Sequence, residues 1–247
     1  MIRLEKDINP PKLLLENAEN WTNELIDAVN EHGGYSKIPS DIKERILKNY
    51  RNDEIKQKLI ESSHGKCAFC ESMPSESGNI EVEHFKPKSI YHNLTFDWDN
   101  LLPVCRKCNE AKSDFDTGIN PIVNPATDNP ETIFTYNLLS IKSINVNDDI
   151  SKRTIEVCNL NSPRLFKVRA DLLINLSSYE QSLKDWLKEI EESETELKRS
   201  NRIKKLKNSL ELIENLTNSC EKYAGYCRWY LNNSEIYQCA KDYIEEH

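Results

Sequence analysis

The sequence predicts an α+β protein, mostly α-helical, with one small metal-held strand-and-helix centre flanked by helices on both sides. Three observations carry that prediction. Apolar residues recur at helical spacing before residue 62 and after residue 161. Between those regions, Ile80-Glu81-Val82-Glu83-His84-Phe85 alternates apolar and polar side chains, as a half-buried strand does. Two C-x-x-C pairs, Cys67/Cys70 and Cys105/Cys108, bracket that strand.

Composition narrows the class further. A chain of 247 residues makes one large domain or two small ones. With 38% hydrophobic and 30% charged residues it is polar, yet too rich in Leu, Ile, Tyr and Trp to be disordered. Only 6 glycines argue against long flexible linkers. The net charge of −8 and pI near 5.3 argue against a free-standing nucleic-acid binder, whose affinity comes from Lys and Arg on phosphates. An acidic chain with such a ligand needs a local basic surface or a basic partner. No run approaches the roughly 18 apolar residues of a membrane span. The opening MIRLEKDINPP lacks the apolar core of a signal peptide. Of 8 cysteines, four sit in close pairs, which suits reduced thiols and a metal in the cytoplasm.

The elements follow in order. After Pro10-Pro11, residues Leu13, Leu14, Trp21, Leu25, Ile26 and Val29 mark a helix that stops near Gly33-Gly34. Ser40 is placed to cap a second helix and Asp53 a third, with Gly65 as its stop; residues 1–62 make an N-terminal helical segment. Residues 63–118 form the central unit: turn chemistry at 75–79, the strand, a loop anchored by Tyr91, Phe96 and Trp98, and a short helix over Cys105–Ser113. Residues 119–160 are a Pro- and Asn-rich loop and a connecting helix with Ile155 and Leu160 inward. In 161–247, Ser162-Pro163 opens a long helix carrying Leu183, Trp186, Leu187, Ile190 and Leu197. A break near Ser200-Asn201 precedes a seam of Ile203, Leu206, Leu210 and Ile213, giving an antiparallel hairpin backed by aromatic helices.

The two cysteine pairs are separated by 34 residues. Each pair points two thiolates at one ion, so Cys67, Cys70, Cys105 and Cys108 together close a tetrahedral structural Zn²⁺ site with no open position. An iron–sulfur cluster takes the same ligands. Cys158, Cys220, Cys227 and Cys239 lack this spacing and read as small buried hydrophobes on helix faces.

Within the bracket stand Glu83-His84, then Asn100 before the second cysteine pair and Asn109 after it. EVEHFKPKS, WDNLLPVC and CRKCNEAKS together resemble the core of HNH endonucleases, the ββα-metal fold with a four-cysteine zinc site. HGKCAFCE, the Asn124-Pro125 and Asp128-x-Pro130 loop, and TIEVCNLN extend the likeness to the PtuB HNH subunits of Septu anti-phage systems and to HNH proteins accompanying some retrons.

That resemblance implies catalytic roles by position. His84 is the general base, Glu83 and Asn109 hold a catalytic Mg²⁺ or Mn²⁺, and Asn100 orients the loop carrying His84. Glu stands at 83 where Asp is more usual, and Asn at 109 where many relatives have His; both are oxygen donors suited to a hard cation. The implied activity is phosphodiester hydrolysis in nucleic acid, DNA favoured and tRNA or other RNA open, under a PtuA-like SMC/ABC-type ATPase. A retron reverse transcriptase with its msDNA is a further implied partner. The alternative is a non-catalytic zinc-stabilised adaptor. Lys86, Lys88, Arg106, Lys107 and Lys112 are the expected nucleic-acid contacts, with Lys112 either on a phosphate or solvating its helix. A second basic cluster, Lys198 to Lys207, marks the tip of the hairpin. The N-terminal segment and the C-terminal helices, surplus to the nuclease motifs, are the expected docking surfaces for the ATPase.

Overall fold

Pro11 ends the extended start of the chain, and helix α1 (Lys12–His32) follows it in the computed structural model, which describes residues 1–74 and 79–246. Gly33 closes α1 in the left-handed region at φ 68°, and the Gly34 N–H returns to the Val29 carbonyl at 2.9 Å. Helix α2 spans Ser40–Leu47, with Pro39 rather than Ser40 at the cap position. Helix α3 spans Asp53–Ser62 and is capped by Asn52, whose Oδ1 accepts from Glu54 N at 2.9 Å. The sequence placed both caps one residue late. The turn expected at 75–79 lies outside the described residues at 75–78.

Strand β1 (Ile80–His84) pairs antiparallel with β2 (Leu101–Cys105), from Ile80 opposite Cys105 to His84 opposite Leu101. Helix α4 (Arg106–Lys112) follows β2 directly. The ββα arrangement expected for the centre is therefore present. Strand β2 had no pattern to announce it: all five residues of LLPVC are buried, so nothing alternates, and Pro103 cannot donate to a ladder.

The N-terminal helices are not surplus to this centre. Leu14, Leu25, Ile46, Ile55 and Leu59 share one apolar core with Val82, Phe96, Trp98 and Leu101. Removing them would expose the back of the strand pair, so their inner faces are not docking surfaces.

Beyond α4 the chain runs through the Pro-rich loop to strands β3 (Phe134–Asn137) and β4 (Ser140–Ser143), a short two-stranded sheet. Four-residue strands carry too little periodicity to be read in advance. Helix α5 (Asp149–Val157) is capped by Asp148. It buries Ser151 and Thr154, with Cys158 and Leu160 just beyond its end; Ile155, expected inward, is only half-buried.

Two compact units result: Met1–Phe134 with Lys142–Leu160, and Thr135–Ile141 with Asn161–His247. In the second, Ser162 precedes Pro163 at the start of α6 (Pro163–Glu191), followed by α7 (Glu196–Asn215), α8 (Ala224–Asn232) and α9 (Glu235–Glu246). Leu183, Ile190, Leu206, Leu210 and Ile213 form its core with Tyr226 and Leu231. The break between α6 and α7 falls before Glu196, where Thr195 caps α7, and not at Ser200-Asn201, which are helical. Leu197 accordingly belongs to α7, and it is 74% exposed. Cys158 and Cys227 are buried as expected, but Cys220 and Cys239 are exposed. No described helix is long and apolar enough to cross a membrane.

Candidate active site and metal centre

The first cysteine pair sits on the turn that follows α3. Gly65, at φ 75°, lets the chain reverse there, and its N–H bonds the Ile60 carbonyl at 2.8 Å. Ala68 N then bonds Pro103 O at 2.9 Å, tying this knuckle to β2. Cys105 ends β2 and Cys108 lies in the first turn of α4, so strand and helix together aim the second pair at the first. The four Sγ atoms lie within 4.8 Å of one another and all four residues are buried. Hydrogen bonds from neighbouring thiols draw Cys70 down and Cys105 down to about 7, while burial foremost pushes Cys67 up. A buried set of soft donors converging on one point fits a tetrahedral metal, and the donor chemistry fits zinc.

His84 ends β1 and points into the interior, at 2% exposure. Its Nε2 lies 2.9 Å from the Thr95 carbonyl oxygen. A carbonyl only accepts, so Nε2 carries the proton and Nδ1 carries the lone pair. Nδ1 is buried with no hydrogen-bond partner among the described residues. The Tyr50 ring packs against the imidazole edge-to-face, centroids 4.6 Å apart. Burial, reinforced by Lys88 and Lys112, holds the imidazole pKa down at about 3, so it is neutral.

Lys112 departs most from the sequence reading. It is 1% exposed and neither meets solvent nor offers itself to a phosphate. Its Nζ donates to Glu83 Oε1 at 2.6 Å and to the His84 carbonyl at 2.8 Å, which ties α4 to the end of β1. Glu83 is itself buried, and burial outweighs the attraction of Lys112, leaving its carboxyl above the usual range.

Asn109 does not touch Glu83 by hydrogen bond. Its Nδ2 donates to Glu81 Oε2 at 2.7 Å, and the amide oxygen has no hydrogen-bond partner among the described residues. Asn100 accepts from Lys86 N at 2.7 Å and donates to Lys86 O and Leu94 O, each at 3.0 Å. These bonds fasten the loop that runs from His84 to Thr95. Oxygen donors for a hard cation are thus present at Glu83, Glu81 and Asn109, although Lys112 occupies one Glu83 oxygen.

The expected basic contacts divide. Arg106 and Lys107 are exposed and both engage Glu110, at 2.7 and 3.0 Å. Lys88 is drawn inward, its Nζ 5.6 Å from the Tyr50 ring, and Lys86 lies 5.7 Å over Tyr91. At the helical hairpin, Lys198 pairs with Glu194, and Arg202 bonds the Glu189 carbonyl and Ser193 Oγ. Arg199 also bonds Tyr243 Oη at 3.2 Å, so these three cations of the cluster are met by their own surroundings. Sequence reading missed Tyr50, Thr95 and Glu81. Only Glu81 left a signal, since the alternation of β1 puts it on the same strand face as Glu83.

Residues 67–115 match the HNH endonuclease family. The HNH match covers both cysteine pairs, Glu83, His84, Asn100 and Asn109. The chain is also 36% identical over 165 residues to a Septu protein PtuB of Bacillus thuringiensis, covering 65% of this chain and 55% of that relative. A second Septu protein PtuB, from Bacillus mycoides (strain KBAB4), is 26% identical over 124 residues, 45% of this chain and 40% of the relative. The chain spans about half the length of the curated relatives it matches.

Proposed function

We infer that this chain is a metal-dependent HNH endonuclease that hydrolyses phosphodiester bonds in nucleic acid. One observation carries the reading: Nε2 of His84 is committed to Thr95, and its unprotonated Nδ1 has no partner among the described residues. A buried lone pair left unsatisfied costs stability, which a packing role for His84 gives no reason to bear. As general base, Nδ1 takes a proton from the attacking water as the new P–O bond forms; the P–O3′ bond breaks, and the 3′ oxygen takes a proton from solvent to end as a hydroxyl opposite a 5′-phosphate. Glu83 and Asn109 would hold Mg²⁺ or Mn²⁺, with Glu81 taking the Asn109 amide N–H so that the amide oxygen is left to face a cation. When bound, such an ion would supply charge stabilisation to the phosphate. Asn100 keeps the His84 loop in register, and a Zn²⁺ on the four cysteines would hold β2 and α4 beside it. Because Tyr50 covers the imidazole, substrate entry requires its ring to swing aside.

The PtuB likeness supports an effector role in anti-phage defence, in the cytoplasm, with a PtuA-like ATPase as partner. A retron reverse transcriptase with its msDNA is a further partner on the same reading, and co-purification from a host operon tests both. DNA is the favoured substrate; an HNH centre reads phosphates, so RNA is tested beside it.

A second reading is favoured by the Glu83–Lys112 pair, which fills the cation position with a side chain of the protein itself. On that reading the chain is a zinc-stabilised adaptor that binds without cutting. The deciding experiment uses full-length, zinc-loaded protein with Mg²⁺ or Mn²⁺ on labelled DNA and RNA. His84→Ala should lower cleavage by about 10²–10⁴-fold with zinc content unchanged. Equal cleavage by both proteins removes His84 as the base. Full phage defence by a His84→Ala/Asn109→Ala double variant selects the adaptor.

A further inference from the structure

A cleft of about 340 Å³ opens between the Lys48–Arg51 turn with α3 on one side and β1 with α4 on the other. Its walls include Tyr50, Arg51, Lys56, Glu81 and Asn109. Two of these touch the proposed reacting centre: Tyr50 covers His84, and Asn109 is one of the proposed cation ligands. The cleft therefore adjoins the centre through these two residues, with His84 and Glu83 behind its wall, and it lies on the side of the N-terminal helices rather than on the exposed face of α4.

The charges in this cleft are arranged unlike those on α4. Lys56 is half-buried and has no carboxylate partner among the described residues. Arg51 is exposed, gives one terminal nitrogen to Glu44 at 2.5 Å and lies over the Tyr50 ring at 5.5 Å, and its other donors have no partner among the described residues. Glu81 is the one acid among the described residues of the wall, and one of its oxygens accepts from Asn109. A polyanion entering here is repelled from the Glu81 side and attracted to the Lys56 and Arg51 side. The volume is at the small end of ligand sites, a size that suits one strand.

We propose that this cleft seats a single nucleic-acid strand, with Lys56 and Arg51 on the sugar-phosphate backbone beside the bond that the His84 centre cuts. The proposal rests on the endonuclease reading for the word cuts, and on the cleft alone for the binding. An aromatic ring and two cations on one wall are what a backbone-tracking groove uses, with the ring free to stack on a base once displaced.

The test measures binding apart from cleavage. Full-length His84→Ala protein, zinc-loaded and without added magnesium, is titrated against fluorescein-labelled single-stranded DNA and RNA from 50 to 200 mM salt. Lys56→Ala or Arg51→Ala in that background should weaken binding by roughly threefold or more, and reduce the salt slope by about 0.7 for each cation removed. Lys142→Ala, which removes an exposed charge elsewhere, should change neither. Lys56→Ala/Arg51→Ala protein with the parental melting temperature and parental binding overturns the proposal, as does equal weakening by Lys142→Ala or no binding by the parent at 50 mM salt. A His84-containing protein that binds through Lys56 but never cuts supports the cleft and removes the endonuclease reading. The DNA and RNA arms show which backbone the cleft prefers.

Discussion

Lys112 shows how far burial can redirect one side chain. Its ammonium and the Glu83 carboxylate are 0% and 8% exposed, so each depends on the other for its solvation. Lys112→Met should destabilise the protein by about 3–5 kcal/mol in urea denaturation, because it strands a buried carboxylate. Adding Glu83→Gln should recover most of that loss, and a double variant no more stable than Lys112→Met would show that the pair is not coupled. His84 makes the complementary case for pH. Its folded pKa of about 3 lies below the ordinary 6.5, so between those values the unfolded chain takes up a proton that the fold refuses. Stability should fall as the pH drops from 6.5 toward 3, and His84→Gln should flatten that fall when melting temperature is measured against pH.

Among the elements, the loop between β1 and β2 is the one on which the site depends. It has no ladder of its own, and Asn100 supplies three of the bonds that hold its ends together. Asn100→Ala leaves the Lys86 N–H and two carbonyls without those bonds, a cost of about 1–3 kcal/mol for each group that stays dry. Faster hydrogen exchange from Phe85 to Thr95, with the helices α1 and α3 unchanged, is the expected result. The same substitution should lower cleavage, since Thr95 fixes the tautomer of His84 from within this loop. The 3-10 turn from Lys48 to Arg51 has a different part: it carries both Tyr50 over the imidazole and Arg51 at the cleft mouth.

For the whole molecule, the cysteine site divides what metal holds from what apolar packing holds. Withdrawal of zinc by a chelator should weaken exchange protection in Leu101–Cys105 and Arg106–Lys112, because Cys105 ends the strand and Cys108 lies in the helix, so each element carries a ligand to that ion. The core of α6 and α7, built from Leu183, Ile190, Leu206 and Leu210, contains no ligand to that ion and should keep its protection. Loss of protection in both regions at once would refute that division. The net charge of −8 also acts at this scale. It weakens any approach to nucleic acid by the protein alone, which fits a chain that works beside a partner.

The sequence by itself determined the cysteine quartet, the helical flanks and strand β1. These were legible because metal knuckles, helix periodicity and strand alternation are local patterns written at short spacing. His84, Glu83, Asn100 and Asn109 stood out as a group through their resemblance to the HNH core, and their roles are part of the proposed function. Only the tertiary structure decided what each of those groups meets. Glu83 faces Lys112 and Asn109 faces Glu81, pairs separated by 29 and 28 residues. The all-buried strand Leu101–Cys105 and the ring of Tyr50 over His84 likewise had no signal in composition or spacing. Burial and long-range packing set the charge state of a side chain and the groups within its reach, and neither is a property of its neighbours in sequence.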